Sequence, residues 1–320
     1  MQLTPPTLDD IRAARPHVYA AMQASPLLPH PRLSEAIGAD VYVKHENHNP
    51  TGAFKVRGGL NLVARLGEQD RARGVISAST GNHGQSLAFA AARAGVPCTI
   101  VVPQGNNPAK NALVRAWGAT LIEHGRDFDE ARELVERLCV ERGLRYVHSA
   151  NEPDLIAGVG TYALEIAEAL DGVDTVFVPV GGGSGACGLI LVRDALGLSA
   201  RVVGVGAERA DAVARSWRTG VRVIGSSADT FAEGVATRVT FDLTFGILAR
   251  GLDDFVLLSE QELEEGVRVA ARLTHNLAEG AGGAALAAAL KWKDRIAGTR
   301  AVCVMSGGNL DFERLRAVVA

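Results

Sequence analysis

The chain has 320 residues, 47% of them hydrophobic and 22% charged, with a formal net charge of -3. That length and make-up suit a globular protein with a sizeable core in one large or two modest domains. There is no basic excess and no apolar run of transmembrane length, so neither nucleic acid nor a membrane is expected as a partner. Asp9 and Asp10 break the basic-then-apolar pattern of a secretory leader. The 4 cysteines (Cys98, Cys139, Cys187, Cys303) include no CxxC pair. They are expected to be reduced, mostly buried small hydrophobes in a cytoplasmic protein, with no disulfide and no metal site.

The first informative stretch is strand-like, Val41–Lys44, and it leads into His48–Gly58. Pro50 and Gly52 make a turn, and Thr51 is the expected N-cap of the helix that follows. Val56, Leu60, Val63 and Leu66 recur at helical spacing. Lys55 falls in the first turn of that helix, where its charge opposes the positive end of the helix dipole. A lone helix-end lysine is ordinarily just a solvated side chain. A positive field nevertheless favours loss of its proton, and a proton-poor amine is what Schiff-base chemistry needs.

Strand and helix then alternate almost throughout. Gly74–Ser79 is a strand, Thr80–Gly84 a turn, and a helix runs through Leu87 to Ala94 before Gly95 and Pro97 stop it. The strand Cys98–Val102, a helix Pro108–Trp117, the strand Thr120–Glu123 and an amphipathic helix Phe128–Arg142 follow. Tyr146–His148 is short and extended, and Leu155–Leu170 is helical. The consecutive apolar residues Thr175–Val180 suit a buried parallel strand. That strand enters Gly181-Gly182-Gly183-Ser184-Gly185, then a helix to Leu196 and the strand Arg201–Val205. Thr219–Asp254 has no regular pattern. Ser259 and Glu262 match a capping box for a helix to about Leu273, and a second helix covers Gly283–Trp292. The last strand, Ala301–Met305, ends in Ser306-Gly307-Gly308-Asn309. Such alternation predicts an α/β fold with open, mostly parallel twisted sheets covered by helices.

Three strands therefore end in turns of small or hydrogen-bonding residues: Ser79–Gly84, Gly181–Gly185 and Ser306–Asn309. In open α/β sheets, ligands bind beyond such strand ends. A glycine-rich turn that opens a helix offers free N–H groups to a phosphate. Gly183, Gly185 and Gly188 also satisfy GxGxxG, with Glu208 placed as a ribose-binding carboxylate would be. A dinucleotide reading leaves Lys55, Asn82 and Ser306 without a role, and it is set second for that reason.

Together, NPTGAFKVRG, STGNHGQS, VPVGGGSG and VMSGGN, with Ser25-Pro26-Leu27 ahead of them, resemble the pyridoxal-phosphate enzymes of the serine/threonine dehydratase and serine racemase family. The resemblance covers essentially the whole chain and implies the two-domain, tryptophan-synthase-β-like fold. The large cofactor-binding domain would comprise residues 1–72 and 149–320, and the small substrate-gripping domain 73–148. It implies pyridoxal 5'-phosphate held on Lys55 as a Schiff base, with Phe54 beside its ring. Asn82 would meet its phenolic oxygen, Gly181, Gly182, Gly183, Ser184 and Gly185 its phosphate, and Ser306 its pyridine nitrogen. Ser79, Thr80, Gly81, Asn82, His83 and Gly234 would contact an amino-acid substrate. Lys55 would be the general base, and Thr80 a second catalytic position. Assembly as a homodimer or homotetramer is implied as well.

The implied reaction is α,β-elimination from a serine- or threonine-like substrate, hydroxyaspartate and other 3-substituted serines included, giving a 2-oxo acid and ammonia. A hydroxyl such as Ser306 does not hold the ring nitrogen protonated, which favours prompt loss of a β-leaving group. Racemisation or β-replacement is the alternative, and a non-catalytic binder is a third. Three departures from the family shape this reading. Thr80 replaces the serine of the racemases. Ala212 and Ala214 follow Glu208 without the second carboxylate of the family's cation site, so no metal is expected. The sequence runs only a short way past Asn309, so the regulatory domain of the feedback-inhibited threonine dehydratases is not expected. Arg126 stands where an acidic residue is expected in threonine dehydratases, either as a surface arginine or as a substrate contact.

Overall fold

The computed structural model describes residues 3–320. Among them, ten strands follow in chain order: β1 (Leu27–Pro29), β2 (Asp40–His45), β3 (Val75–Ala78), β4 (Cys98–Val102), β5 (Thr120–Glu123), β6 (Arg145–Tyr146), β7 (Thr175–Pro179), β8 (Arg201–Ala207), β9 (Asp254–Leu258) and β10 (Arg300–Met305). Six form one sheet in the order β1-β2-β10-β7-β8-β9, and four form a second in the order β5-β4-β3-β6. All neighbours are parallel except β1 and β2. Every residue of β3 is buried, as are all but the first of β10. Helices cover both faces, so these strands read as unbroken apolar runs instead of alternating ones.

Insertion of the last strand, β10, between β2 and β7 positions the site. Its register sets Met305 beside His45 and Cys303 beside Phe177. The turns that follow these three strands therefore open at one edge of the larger sheet. The turn after β3 reaches them from the smaller sheet, because the helix Lys55–Ala64 packs on the helices Asn82–Ala94 and Pro153–Ala169. Glycines allow that approach: a Cβ at Gly59 would lie 2.4 Å from Ser86 Oγ, and one at Gly158 2.4 Å from the Arg57 carbonyl oxygen.

Beneath the Lys55 helix sits a charge cluster with almost no access to water. Arg57 is fully buried and grips Glu46 through Nε (2.7 Å) and Nη2 (2.9 Å). It also holds Glu165 through Nη1 (2.6 Å) and Nη2 (2.9 Å). Lys44 Nζ joins Glu165 and donates to the Ser25 carbonyl at 2.7 Å. Two cations thus face two anions, which limits the cost of burying all four.

Several elements differ from the sequence reading. Helices Leu8–Tyr19 and Pro31–Ile37 precede the lysine segment, the first closed by a Thr7–Asp10 capping box. The unassigned stretch holds a short 3-10 turn, Glu233–Val235, and the helix Asp242–Gly251. The helix from Glu260 stops at Val269 and continues as a π turn, Ala270–Thr274. The helix Gly280–Lys291 begins three residues earlier than the sequence pattern suggested. Cys98, Cys187 and Cys303 are free and buried, and Cys139 is free and partly buried. Among the described residues, no helix is long and apolar enough to cross a membrane.

Candidate active site

From the end of β2 the chain makes a 3-10 turn, Glu46–His48, with the Asn49 amide tied to Glu46 at 2.7 Å. Gly52 takes φ +67, a conformation that favours glycine. The segment is then stitched to the turn after β10. Phe54 N–H donates to the Ser306 carbonyl at 3.0 Å, Gly308 N–H to the Gly52 carbonyl at 2.9 Å, and Ala53 bridges Gly307. Thr51 is not the N-cap that its position suggested. The helix begins at Lys55 with Phe54 at the cap and no side-chain cap bond. The Thr51 hydroxyl is buried with no partner among the described residues, while its carbonyl accepts from Asn309 Nδ2 at 2.8 Å.

Lys55 Nζ donates to the Ser149 carbonyl and to Ser184 Oγ, each at 3.0 Å, and lies 5.1 Å from the Phe54 ring centroid. Burial pushes its pKa down to about 8, so the amine is partly neutral in the physiological range. Ser184 opens the helix Ser184–Leu196 beyond the glycine turn, and Gly183 ahead of it has φ +94. The turn is closely packed: a Cβ at Gly181 would lie 2.2 Å from the Gly234 carbonyl oxygen, and one at Gly182 2.7 Å from Ala150 Cβ. Gly185 faces Phe54, and its carbonyl accepts from the Tyr162 hydroxyl at 2.9 Å. An amine ready to react with an aldehyde therefore stands next to a helix-terminal loop suited to a phosphate.

The turn after β3 closes the other side. Ser79 Oγ accepts from Gly84 N–H at 2.8 Å, so this hydroxyl shapes the turn itself. Thr80 and Gly81 are partly exposed ahead of the helix Asn82–Ala94. Asn82 donates from Nδ2 to Glu279 Oε1 at 2.7 Å and accepts at Oδ1 from Asn309 Nδ2 at 2.8 Å. His83 is buried with Nε2 3.1 Å from Ser77 Oγ, and its Nδ1 has no partner among the described residues. Burial, with Lys55 nearby, pushes its pKa down to about 3, so it is neutral. Ser306 is 5% exposed, and at the next residue a Cβ on Gly307 would lie 2.6 Å from Glu279 Oε1.

The family model for "Pyridoxal-phosphate dependent enzyme" matches residues 18–307, which is most of the chain. The chain belongs to this family. Pyridoxal phosphate is accordingly its cofactor, and the paired amine and glycine loop suit that molecule's aldehyde and phosphate. Among similar family members is a Thermotoga maritima protein named L-threonine ammonia-lyase, 36% identical over 98% of this chain and 78% of that protein. A Saccharomyces cerevisiae protein named L-threo-3-hydroxyaspartate ammonia-lyase is 32% identical, covering 98% and 97%. The solved structure of maize serine racemase superposes with a TM-score of 0.93 at 27% identity, over 99% of this chain and 97% of that one.

Within this pyridoxal-phosphate fold the dinucleotide reading loses its parts. Gly188 serves helix packing, since a Cβ there would lie 2.8 Å from Gly160 Cα. Glu208 is 53% exposed in its side chain and faces Lys291 Nζ at 4.0 Å; that ammonium also donates to the Leu257 carbonyl at 3.0 Å and to Glu262 at 2.9 Å. Arg126 is a surface side chain, 87% exposed, paired with Glu130 one helical turn on. Sequence reading missed the Ser149 carbonyl, which holds the amine, and Glu279, which holds Asn82. Neither lies in a glycine-rich turn. The one available signal for Glu279 was an acidic residue directly ahead of Gly280-Ala281-Gly282-Gly283 at a helix start.

Proposed function

We propose that this chain is a pyridoxal-phosphate-dependent ammonia-lyase that converts a β-hydroxy amino acid to a 2-oxo acid and ammonia by α,β-elimination. The observation that carries the reading is the Lys55 amine, with a pKa near 8, 3.0 Å from the serine of the glycine loop. The names of the relatives, which concern threonine and threo-3-hydroxyaspartate, support the substrate class. Lys55 would carry the cofactor, with Phe54 beside the ring and Gly181–Gly185 around the phosphate. Asn82 would meet the phenolic oxygen and Ser306 the ring nitrogen. When bound, the cofactor supplies the electron sink for charge developing at the substrate Cα.

The rest falls to the chain's own residues. Lys55 would accept the Cα proton on Nζ. The turn Ser79–His83, with Gly234 opposite, holds the substrate carboxylate. Thr80 offers a hydroxyl crowded by its own methyl, a poor donor to the second face of Cα. Ser306 gives the ring nitrogen a neutral partner, which does not stabilise positive charge there as a carboxylate would. The same reading divides the chain into a large domain (1–72 and 149–320) and a small one (73–148), and has it assemble as a homodimer or homotetramer.

The direct test offers serine, threonine and 3-hydroxyaspartate to the cofactor-loaded protein. Release of 2-oxo acid and ammonia in equal amounts is expected from at least one, with the recovered substrate keeping its configuration. Racemised substrate without 2-oxo acid would move the chain to the racemases instead.

No metal is needed in this scheme. Glu208 already faces the Lys291 ammonium, and Ala212 and Ala214 next to it add no carboxylate. Turnover is therefore expected to change by less than about twofold in EDTA or on adding magnesium. A large loss in EDTA that magnesium restores would show that a cation site lies elsewhere.

A further inference from the structure

Asn82 and Asn309 both carry side-chain amides that can be turned over to exchange oxygen and nitrogen, so the direction of their bonds has to be set by neighbours that cannot turn. Two such neighbours close the chain of bonds. At one end the Thr51 carbonyl can only accept, so Asn309 must present Nδ2 to it, at 2.8 Å. The same Nδ2 reaches Asn82 Oδ1 at 2.8 Å. That leaves Asn82 Nδ2 toward Glu279 Oε1, at 2.7 Å, with its second N–H given no partner among the described residues.

Glu279 is itself well anchored. Its N–H donates to the Gly307 carbonyl at 3.1 Å, and its carboxyl lies so close to Gly307 that a Cβ there would sit 2.6 Å from Oε1. One carboxyl thus touches both the turn that carries Asn82 and the turn that carries Ser306.

We propose that Glu279 is a positioning residue: its carboxyl holds the Asn82 amide so that the second Nδ2–H faces the cofactor ring, and its charge adjusts the ionisation of the bound cofactor. This rests on the reading above that Asn82 meets the phenolic oxygen. The charged groups around Glu279 are Lys110 from the helix Pro108–Ala116 and Glu233 from the 3-10 turn Glu233–Val235, which pair with each other. Burial raises the Glu279 pKa to about 7 against the pull of Lys110 and the Asn82 bond, so the carboxyl changes charge in the neutral range.

The test follows the visible absorption of the cofactor-loaded protein against pH, together with cofactor affinity measured by dialysis. Wild type should bind cofactor and show a spectral transition near neutral pH. Glu279→Gln keeps an acceptor for Asn82 without a charge. It should bind cofactor within about threefold of wild type and lose that transition. Glu279→Ala removes the acceptor, and cofactor affinity should fall roughly tenfold or more, the scale of a charge-assisted hydrogen bond. A neutral transition that persists in Glu279→Gln overturns the charge effect, and Glu279→Ala binding as tightly as wild type overturns the positioning. If Glu279→Ala does not fold, tenfold weaker binding by the well-folded Glu279→Gln overturns the positioning in its place. Wild type failing to take up cofactor at all would count against the underlying functional reading, a result separable from either.

Discussion

Lys55→Ala is expected to lower 2-oxo acid release by about a thousandfold or more, because in the proposed scheme one amine would serve both as the cofactor's attachment point and as the base at Cα. Borohydride should fix the cofactor onto Lys55 in wild type and onto no residue in the variant. The Ser149 carbonyl and Ser184 Oγ hold this amine beside the glycine turn, and the variant removes nothing else from the loop. Loss of activity through misfolding can be told apart by stability against pH. The folded pKa of about 8 lies below the ordinary value of 10.5. Burying the ammonium therefore costs stability in full below pH 8, and that cost fades as pH rises from 8 to 10.5. Without cofactor, Lys55→Ala should consequently be more stable than wild type at pH 7, with the gap closing above pH 10.5. A variant that keeps near-native turnover would remove Lys55 from the chemistry. One less stable than wild type at neutral pH would mean that lost packing, not lost charge, dominates.

The second large effect is structural. Arg57→Met should destabilise the cofactor-free protein by roughly 3–5 kcal/mol, since Glu46 and Glu165 would remain buried with Lys44 as the counter-charge in direct contact. Arg57→Lys should recover only part of this, because a lysine cannot reproduce two forked contacts from one planar group. Denaturant midpoints measure both. Arg57 lies two residues beyond Lys55 on the same helix, so a weaker hold should also loosen the reactive amine and lower cofactor affinity in any variant that still folds. A midpoint for Arg57→Met equivalent to less than about 1 kcal/mol would show that water reaches the cluster, contrary to its burial.

How far the sequence could be read depended on the distance over which each feature is set. The glycine turn after β7 was legible because an apolar strand, a turn and a helix are adjacent in the chain, and their periodicity and turn chemistry are local. Helix Phe128–Arg142 was legible to the residue for the same reason, with Asp127 capping it and Gly143 ending it in the left-handed region. Thr51 misled, since an N-cap reading assumes that the helix starts at the nearest hydroxyl. Here the Phe54 N–H is taken instead by the Ser306 carbonyl, about 250 residues along the chain. Glu208 shows the same limit of local spacing: it suited a ribose ligand only in the dinucleotide reading that was set second, and folding put it before Lys291.

The lysine at a helix start, the phosphate-type loop and the parallel α/β class all follow from residues within one strand-turn-helix unit, where steric and hydrogen-bonding rules act over a few positions. Which oxygens meet the Lys55 amine, and which carboxyl orients Asn82, do not follow in that way. Those partners lie in Ser149, Ser184 and Glu279, 94 to 197 residues from the groups they bind. They meet because β10, last in sequence, inserts between β2 and β7 and carries the Ser306–Asn309 turn against the Lys55 segment. Burial at that junction then lowers the lysine pKa and raises that of Glu279, since desolvation disfavours whichever form is charged.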